Sequence, residues 1–152
     1  MILATLCYLK KNGRTLMLHR VKKENDMHHG KWNGLGGKLE IGETTQECVV
    51  REVYEESGFV IKNPKMHGMI LFPMFDGKND WHVFVFSAKS FVGRIKESNE
   101  GKLAWIDDKK LTRLNLWEGD KIFFKWTKKN KFFSGKMIYK KGKLKNYSVN
   151  FY

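Results

Sequence analysis

The sequence predicts an α/β or α+β sandwich, built from strands mixed with two helices in one domain that spans residues 1–152. Three observations lead to this fold class. A chain of 152 residues has the length of one ordinary domain and can bury a core without a disulfide or structural metal. Its 41% apolar and 14% aromatic content excludes a disordered chain. Short apolar runs typical of strands are interspersed with two segments of helical periodicity.

The first segments predict a β-hairpin followed by two loops. Residues 2–9 (ILATLCYL) form a nearly continuous apolar run, which is typical of a buried strand. A turn at 11–13 leads to 15–20 (TLMLHR), the predicted hairpin partner. Residues 21–31 are polar and without pattern, so we expect a loop there. Residues 32–43 contain four glycines, which predicts a tightly turning loop.

A helix is predicted after the glycine-rich loop. Thr44 or Thr45 can cap it, and Glu47 stands three residues after Thr44, as a capping box requires. The helix is expected to reach about Ser57 and to stop at Gly58. One buried stripe is predicted along this helix, formed by Cys48, Val49, Val50, Val53 and Tyr54.

The second half of the chain predicts more strands, one helix and a closing hairpin. Residues 82–88 are apolar on both alternating sets of positions, as in a central strand that is covered on both faces. The other expected elements are strands at 66–75 and 102–106, a helix at 118–129 with Ile122, Phe123 and Trp126 inward, and a hairpin of 132–139 with 144–151 in which Tyr147, Val149 and Phe151 share a face.

Charge is distributed unevenly along the chain. The net charge is +13, and residues 121–152 contain ten lysines and no acidic residue. Residues 40–56 have the opposite balance, because they contain six glutamates and Arg51 is their only cation. The lysine-rich end is interpreted as solvated surface, with attraction of nucleic acid or a polyanionic substrate as the alternative. The concentration of glutamates in residues 40–56 indicates a functional site.

The sequence contains no feature that would take the chain into a membrane or out of the cell. No apolar run approaches the ~20 residues of a membrane span. The N-terminal lysines follow the apolar stretch instead of preceding it, unlike in a secretory signal. Cys7 and Cys48 lie in apolar stretches and are expected to be reduced core thiols. We therefore expect a cytoplasmic protein. The sequence does not fix its oligomeric state, for which a monomer is favoured.

Three glutamates of the predicted helix have the spacing of a metal site. Glu52, Glu55 and Glu56 are three and four residues apart, so they project from one side of the helix within one turn. Three carboxylates this close repel one another, and a divalent cation would relieve that repulsion. Carboxylate oxygens suit Mg²⁺, with Mn²⁺ as the second choice. Without further context, a solvated acidic face would be the simpler interpretation.

Residues 37–59 (GKLEIGETTQECVVREVYEESGF) resemble the Nudix box. Phe59 departs from the pattern, since the family usually has an aliphatic residue there. The resemblance implies an α/β/α sandwich around a mixed sheet. It implies that Arg51 orients the metal-binding glutamates, that the Gly36 carbonyl is a further metal ligand, and that Lys38, together with Arg20, contacts phosphate. The positions that match the box are Gly37, Glu43, Arg51, Glu52, Val53, Glu55, Glu56 and Gly58.

The likeness extends beyond the box, over most of the chain, and follows the order of MutT-like 8-oxo-dGTP diphosphatases. It implies a purine site formed by Asn33, Trp117 and Asp120. Without this likeness, Asn33 would be interpreted as a turn residue, Trp117 as a core residue and Asp120 as an acidic residue at the start of a helix. It also implies that Glu100 is a metal ligand or the general base. Some relatives have two adjacent acids after the tryptophan, whereas this chain has Gly119 at one of these positions, with Glu118 beside it.

The function expected from this resemblance is Mg²⁺-dependent hydrolysis of a nucleoside triphosphate to the monophosphate and pyrophosphate. The leading substrate is an oxidised purine nucleotide such as 8-oxo-dGTP, which gives a role in cleansing the nucleotide pool and so in DNA repair. The alternative substrates are a dinucleoside polyphosphate, ADP-ribose or a capped RNA end. A non-catalytic nucleotide-binding or RNA-binding module is the rival class, although a pure binder has no need of three clustered carboxylates. His28 and His29 are interpreted as loop residues, not as a zinc site.

Overall fold

A computed structural model describes residues 1–152 and contains ten strands, two α-helices and one 3₁₀ helix. Helix α1 is Thr45–Ser57, helix α2 is Glu118–Thr127, and the 3₁₀ helix is Asp108–Arg113. The strands are β1 (Ile2–Lys11), β2 (Arg14–His19), β3 (Trp32–Asn33), β4 (Phe59–Lys62), β5 (Lys65–Phe72), β6 (Trp81–Ala88), β7 (Ser90–Gly93), β8 (Lys102–Asp107), β9 (Phe133–Lys140) and β10 (Lys143–Phe151).

A mixed sheet is the framework of the molecule. Its strand order is β10-β9-β5-β6-β1-β2-β3, and β8 pairs with β2 away from this path. Strand β1 runs parallel to β6 along residues 2–9, and β5 runs parallel to β9. Strand β6 lies between β5 and β1, which confirms the central position predicted from its apolar faces. The mixed sheet and the helices confirm the predicted fold class.

The predicted N-terminal hairpin is confirmed only at its turn. Strands β1 and β2 pair at Lys10 with Thr15 and at Lys11 with Arg14. Beyond these pairs the two strands separate, because β1 pairs with β6 while β2 pairs with β8 and β3. A strand that is apolar on both faces gains more buried surface in the middle of the molecule than in an isolated ribbon.

The core has two halves, which lie on opposite faces of β1. On one face, Cys7 and Leu9 pack with Val49 and Val53 of α1. On the other face, Tyr8 packs with Phe123 and other apolar residues of α2. The two helices therefore lie on opposite sides of the sheet. The thiols of Cys7 and Cys48 are both free and buried, as predicted.

Helix α1 begins and ends as the sequence predicts. The Thr44 hydroxyl accepts from the Glu47 amide and the Glu47 carboxylate accepts from the Thr44 amide, each at 3.0 Å, which completes the capping box. Gly58 ends the helix with φ 83°, in the left-handed region. The inclusion of Tyr54 in the buried stripe is wrong: the residue is 50% exposed, and its ring lies 4.6 Å from the Lys96 ammonium. Glu56 is buried along that helix instead.

Helix α2 packs against the C-terminal hairpin, which joins the sheet through the pairing of β9 with β5. Phe123 and Trp126 are buried as predicted, whereas Ile122 is only half-buried and Phe124 is buried as well. The Trp126 ring meets those of Tyr147 and Phe151 at 6.2 and 6.4 Å, which confirms that these hairpin residues share a face.

Four elements have no counterpart among the sequence predictions. Strand β3 lies where a loop was predicted, strands β4 and β7 form a separate two-stranded sheet, and the 3₁₀ helix follows β8. All four are only two to six residues long, too short for a periodic pattern to identify them. Neither α-helix has the length and hydrophobicity that a membrane span requires.

Candidate active site

The glycine-rich loop lies against β1, and the backbone holds it there. The Thr5 amide donates to the Gly37 carbonyl at 2.9 Å, and Cys7 and Leu35 exchange two backbone hydrogen bonds of 2.6 and 3.0 Å. A β-carbon at Gly36 would overlap the Thr5 carbonyl, and one at Gly37 would overlap the Glu52 carboxyl group. Glycine is therefore required at position 36, where a side chain would meet backbone, whereas a side chain at position 37 would displace the Glu52 carboxyl group from its place.

Arg51 is the electrostatic centre of the site. Its guanidinium donates two hydrogen bonds to Glu43, of 2.7 and 2.9 Å, and one of 2.7 Å to Glu52. It also donates to the Lys38 carbonyl at 3.1 Å and to Glu55 at 3.4 Å. The hydrogen bonds from Arg51 lower the pKa of Glu43 to about 2. One cation thus ties the loop to the helix.

Glu56 is a buried carboxylate at the base of the loop. It is 7% exposed, and the Gly36 amide donates to it at 2.7 Å. Burial raises its pKa well above the ordinary value, and the nearby charges of Glu100 and Glu52 raise it further. Burial also raises the pKa of Glu52, although Arg51 opposes that shift. Glu55 is exposed.

Glu100 reaches this group of carboxylates from the segment before β8. The Arg20 guanidinium lies 3.2 Å from the Glu100 carboxylate and 2.7 Å from that of Asp26. The Lys23 ammonium is 3.9 Å from Glu100. Arg20 is therefore already held by two carboxylates at the edge of the site, while Lys38 is exposed, with its ammonium 5.4 Å from the Trp81 ring. The two predicted phosphate contacts thus have different surroundings.

The chemistry of these carboxylates fits a hard divalent cation. Glu52, Glu56 and Glu100 are close enough to disfavour one another's ionisation, a cost that a cation between them would reverse. No group of three acidic, histidine or cysteine side chains is already arranged as a metal cage. Glu52 accepts from Arg51 and Glu56 accepts from the Gly36 amide through one oxygen each, so each carboxylate keeps a second oxygen that a cation could bind.

An aromatic pocket lies on the opposite face of β1, around Trp117 at the start of α2. The Trp117 indole N–H donates to Nδ1 of His28 at 2.8 Å. The rings of Phe75 and Tyr139 meet Trp117 edge-on at 5.0 and 5.5 Å. The Lys31 ammonium lies 5.0 Å from the Trp117 ring centre. These contacts fix the plane of the indole.

Asp120 and Gly119 form the polar end of this pocket. Asp120 is 8% exposed, and burial raises its pKa to about 7 although the charge of Lys31 opposes the shift. The Gly119 amide donates to the Tyr139 hydroxyl at 2.6 Å. A β-carbon at Gly119 would overlap the Met137 sulfur and lie 2.8 Å from that hydroxyl. Tyr139 and Met137 therefore occupy the space that a second acid would need, and Glu118 is exposed.

Sequence reasoning did not identify several residues of the pocket. His28 was assigned to a loop, yet its imidazole holds Trp117. Tyr139 was assigned to a strand without a place in the site, and the assignment of Phe75 to a strand is wrong, because β5 ends at Phe72 and Phe75 lies in the turn that follows. Nothing in their local pattern distinguishes them from core residues, since they come together only when three distant segments fold against one another. Asn33 is half-buried on β3, where it pairs with Leu18 of β2. It precedes the glycine-rich loop, in which Gly37 lies against Glu52.

The fold places a cluster of carboxylates beside a glycine-rich loop on one face of β1 and the aromatic residues around Trp117 on the other. The family model of the NUDIX domain matches residues 2–127, and the chain belongs to the Nudix hydrolase family. Within the family it is similar to an uncharacterised Nudix hydrolase, YvcI of Bacillus subtilis, with 36% identity over 76% of this chain and 72% of that protein. It is also similar to an oxidized purine nucleoside triphosphate hydrolase of Danio rerio, with 32% identity over 88% and 83%.

Solved structures place the chain with MutT-like members of the family. A crystal structure of a mutator MutT protein from Bacillus halodurans superposes with a TM-score of 0.87 and 30% identity, over 99% of this chain and 98% of that one. A MutT protein from Methanosarcina mazei gives a TM-score of 0.70 and 28% identity, over 83% and 91%. The resemblance inferred from the box is thus confirmed, as is the assignment of the protein as a hydrolase. The roles of individual site residues remain predictions.

The ionisation of Asp120 should make the stability of the protein depend on pH. The pKa of Asp120 is about 7 in the folded protein and has its ordinary value of 3.8 in the unfolded chain. As pH rises, the carboxyl group therefore loses its proton in the unfolded chain before it does so in the folded protein. Stability is then lost as pH rises from about 4 to 7. We expect Asp120→Asn to melt several degrees above the wild type at pH 8 and at nearly the same temperature at pH 4.

The control is Glu118→Gln, which alters an exposed neighbour of Asp120. Its melting temperature should differ from that of the wild type by the same small amount at pH 4 and at pH 8. Melting temperatures measured by calorimetry provide the comparison. An Asp120→Asn protein that melts below the wild type at pH 8 would contradict the assigned burial cost.

Proposed function

We propose that this protein hydrolyses nucleoside triphosphates to the monophosphate and pyrophosphate with a divalent cation, Mg²⁺ or alternatively Mn²⁺, and that it prefers oxidised purine nucleotides such as 8-oxo-dGTP. The observation that carries the proposal is the continuity of residues 33–38. This segment begins at Asn33, a predicted base contact, and passes Gly37, which lies against Glu52. A triphosphate bound along it would place its base and phosphates at opposite ends.

The chemistry at the phosphate end follows from the carboxylates. Glu52, Glu55, Glu56 and Glu100 would hold the cation, with the Gly36 carbonyl as a further ligand. A bound cation would neutralise phosphate charge and lower the pKa of an attacking water. Arg51 would keep Glu52 oriented, and Lys38 and Arg20 would contact phosphate oxygens. Either Glu52 or Glu100 would accept the proton of the water as general base.

Recognition of the base follows from the groups around Trp117. Oxidation of guanine at C8 turns N7 from an acceptor into a donor and adds a carbonyl. The Asn33 amide can both donate and accept, Asp120 can accept, and the Trp117 indole can stack on the purine. Since Tyr139 and Met137 exclude a second acid beside Asp120, we expect oxidised guanine to be favoured over oxidised adenine. The names of the Danio rerio and Mus musculus relatives support an oxidised purine substrate.

The cellular setting that fits this activity is the free nucleotide pool. Nucleotide cleansing protects DNA from incorporation of damaged bases, and the two buried thiols suit a reducing compartment such as the cytoplasm. The partner of the site would be a small nucleotide, and a monomer suffices because both halves of the site come from one chain.

Glu56 provides the test of the metal site. Glu56→Gln should reduce turnover of 8-oxo-dGTP by several orders of magnitude at saturating Mg²⁺, because the buried ligand loses its charge. Mg²⁺ should raise the melting temperature of the wild type by mass action and that of the variant much less. The matched control is Glu97→Gln, which neutralises a carboxylate that is 79% exposed and should leave both measurements unchanged. Near-normal turnover of Glu56→Gln would refute the metal assignment.

Base selectivity provides the test of the substrate. We expect a much higher kcat/KM for 8-oxo-dGTP than for dGTP, since a site built for hydrogen bonds rejects a base that leaves them unpaired. Asn33→Ala should remove much of this ratio, whereas Trp117→Ala should weaken both substrates together. The measurement is steady-state hydrolysis with chromatographic identification of products. Equal kcat/KM for the two nucleotides in the wild type would exclude the proposed substrate.

The lysine-rich end offers a test of the alternative substrate class. Changing Lys140, Lys141, Lys143 and Lys145 together to Gln should leave the hydrolysis of free 8-oxo-dGTP almost unchanged, because these residues lie on the closing hairpin. Activity should be compared on free nucleotide and on capped RNA at several salt concentrations. A large loss confined to RNA, with steep salt dependence, would instead favour a capped-RNA substrate.

A further inference from the structure

Tyr8 contains the one buried side-chain nitrogen or oxygen atom that has no hydrogen-bond partner. The residue is 2% exposed on the central strand β1. Its ring is fixed on two sides, since the Phe124 ring lies edge-on at 4.9 Å and a β-carbon at Gly34 would lie 2.8 Å from the ring. The hydroxyl is therefore held rigidly in place with its hydrogen-bonding capacity unused.

The unpaired hydroxyl contrasts with the other polar groups on aromatic residues nearby. The Tyr139 hydroxyl accepts from the Gly119 amide, and the Trp117 N–H donates to His28. A buried hydroxyl without a partner destabilises a folded protein, and phenylalanine would fill the same space without that cost. Packing alone therefore does not explain tyrosine at position 8.

The location of Tyr8 connects it to the nucleotide site. Its ring contacts Gly34, the residue directly after Asn33, and the charge of Asp120 is near enough to disfavour ionisation of its hydroxyl. Asn33 and Asp120 are the two polar side chains assigned to the purine. We propose that Tyr8 is a specificity-determining residue, whose hydroxyl hydrogen bonds to the polar edge of a bound purine together with Asn33 and Asp120. This inference rests on the proposed function, because it places the base in that pocket.

The chemistry of the hydroxyl defines what it can recognise. Burial raises the pKa of Tyr8 well above its ordinary value, so the phenol stays protonated and can donate. Asp120 in its ionised form can only accept, and Asn33 can do both. Tyr8 would thus supply a donor to a purine carbonyl or ring nitrogen, which complements the acceptor of Asp120. A purine nucleotide with both kinds of group on its edge is the ligand class that satisfies the pocket.

Removal of the hydroxyl alone tests the proposal. Tyr8→Phe keeps the ring, so we expect the ligand-free variant to melt at the same temperature as the wild type or higher. We expect the dissociation constant of the tightest-binding nucleotide among 8-oxo-dGMP, dGMP and dAMP to rise about tenfold, as loss of one buried hydrogen bond predicts. Isothermal titration calorimetry on the full chain without metal provides this value.

Two controls separate a role in recognition from a role in folding. Pyrophosphate with Mg²⁺ has no base, so its effect on the melting temperature should be equal for wild type and Tyr8→Phe. Tyr147→Phe removes a hydroxyl from a residue that is 48% exposed on the hairpin, and should change neither nucleotide binding nor stability.

The inference is overturned if Tyr8→Phe binds the nucleotide as tightly as the wild type, if the ligand-free variant melts several degrees lower or fails to fold, or if none of the three monophosphates binds the wild type. Failure of the proposed function has a different signature, namely equal kcat/KM for dGTP and 8-oxo-dGTP in the wild type. A tenfold loss of purine binding in Tyr8→Phe alongside that equality would support Tyr8 as a purine contact and exclude only the oxidised substrate.

Discussion

The ion-pair network of Arg51 is the interaction on which the candidate active site depends. Helix α1 concentrates negative charge on one side, and such a helix is destabilised by its own repulsion. The guanidinium offsets this charge from inside the cluster, because it binds Glu43 of the loop and Glu52 of the helix at once. It also binds the Lys38 carbonyl, so the loop backbone is positioned by the same group. A lysine could not replace it, since one ammonium cannot supply this planar set of donors.

The two halves of the site contain unfavourable interactions of different kinds, which a bound ligand could relieve. In the carboxylate cluster, Glu52, Glu56 and Glu100 hold one another in an unfavourable electrostatic state, which a cation can relieve. In the aromatic pocket, the cost lies in desolvation, because Asp120 is buried and the Tyr8 hydroxyl has no partner. A ligand that supplies a cation at one end and hydrogen bonds at the other would relieve both costs. Both features disfavour the empty site relative to a filled one.

Local signals made part of the fold predictable. The capping box at Thr44 and the left-handed Gly58 fixed both ends of α1, since each depends on residues within a few positions. Long-range pairing was not predictable from local pattern: the parallel contact of β1 with β6 joins segments about 80 residues apart. Tyr54 was misplaced because its spacing fits the apolar stripe, whereas the buried residue of that turn is Glu56, whose carboxylate accepts from the Gly36 amide. His28 was missed because its role exists only once Trp117 folds against it.

The carboxylate cluster and the aromatic pocket both depend on the register in which strand β1 pairs with β6. Successive side chains of a strand point to opposite faces. Thr5 and Cys7 therefore face α1 and the glycine-rich loop, and Thr5 lies 3.3 Å from the Cys48 sulfur. Tyr8 faces α2 and the aromatic pocket. A shift of β1 by one residue against β6 would exchange these faces and remove the polar group from each half of the site. The parallel pairing with β6 along the whole of residues 2–9 thus fixes the positions of the aromatic pocket and the carboxylate cluster relative to one another.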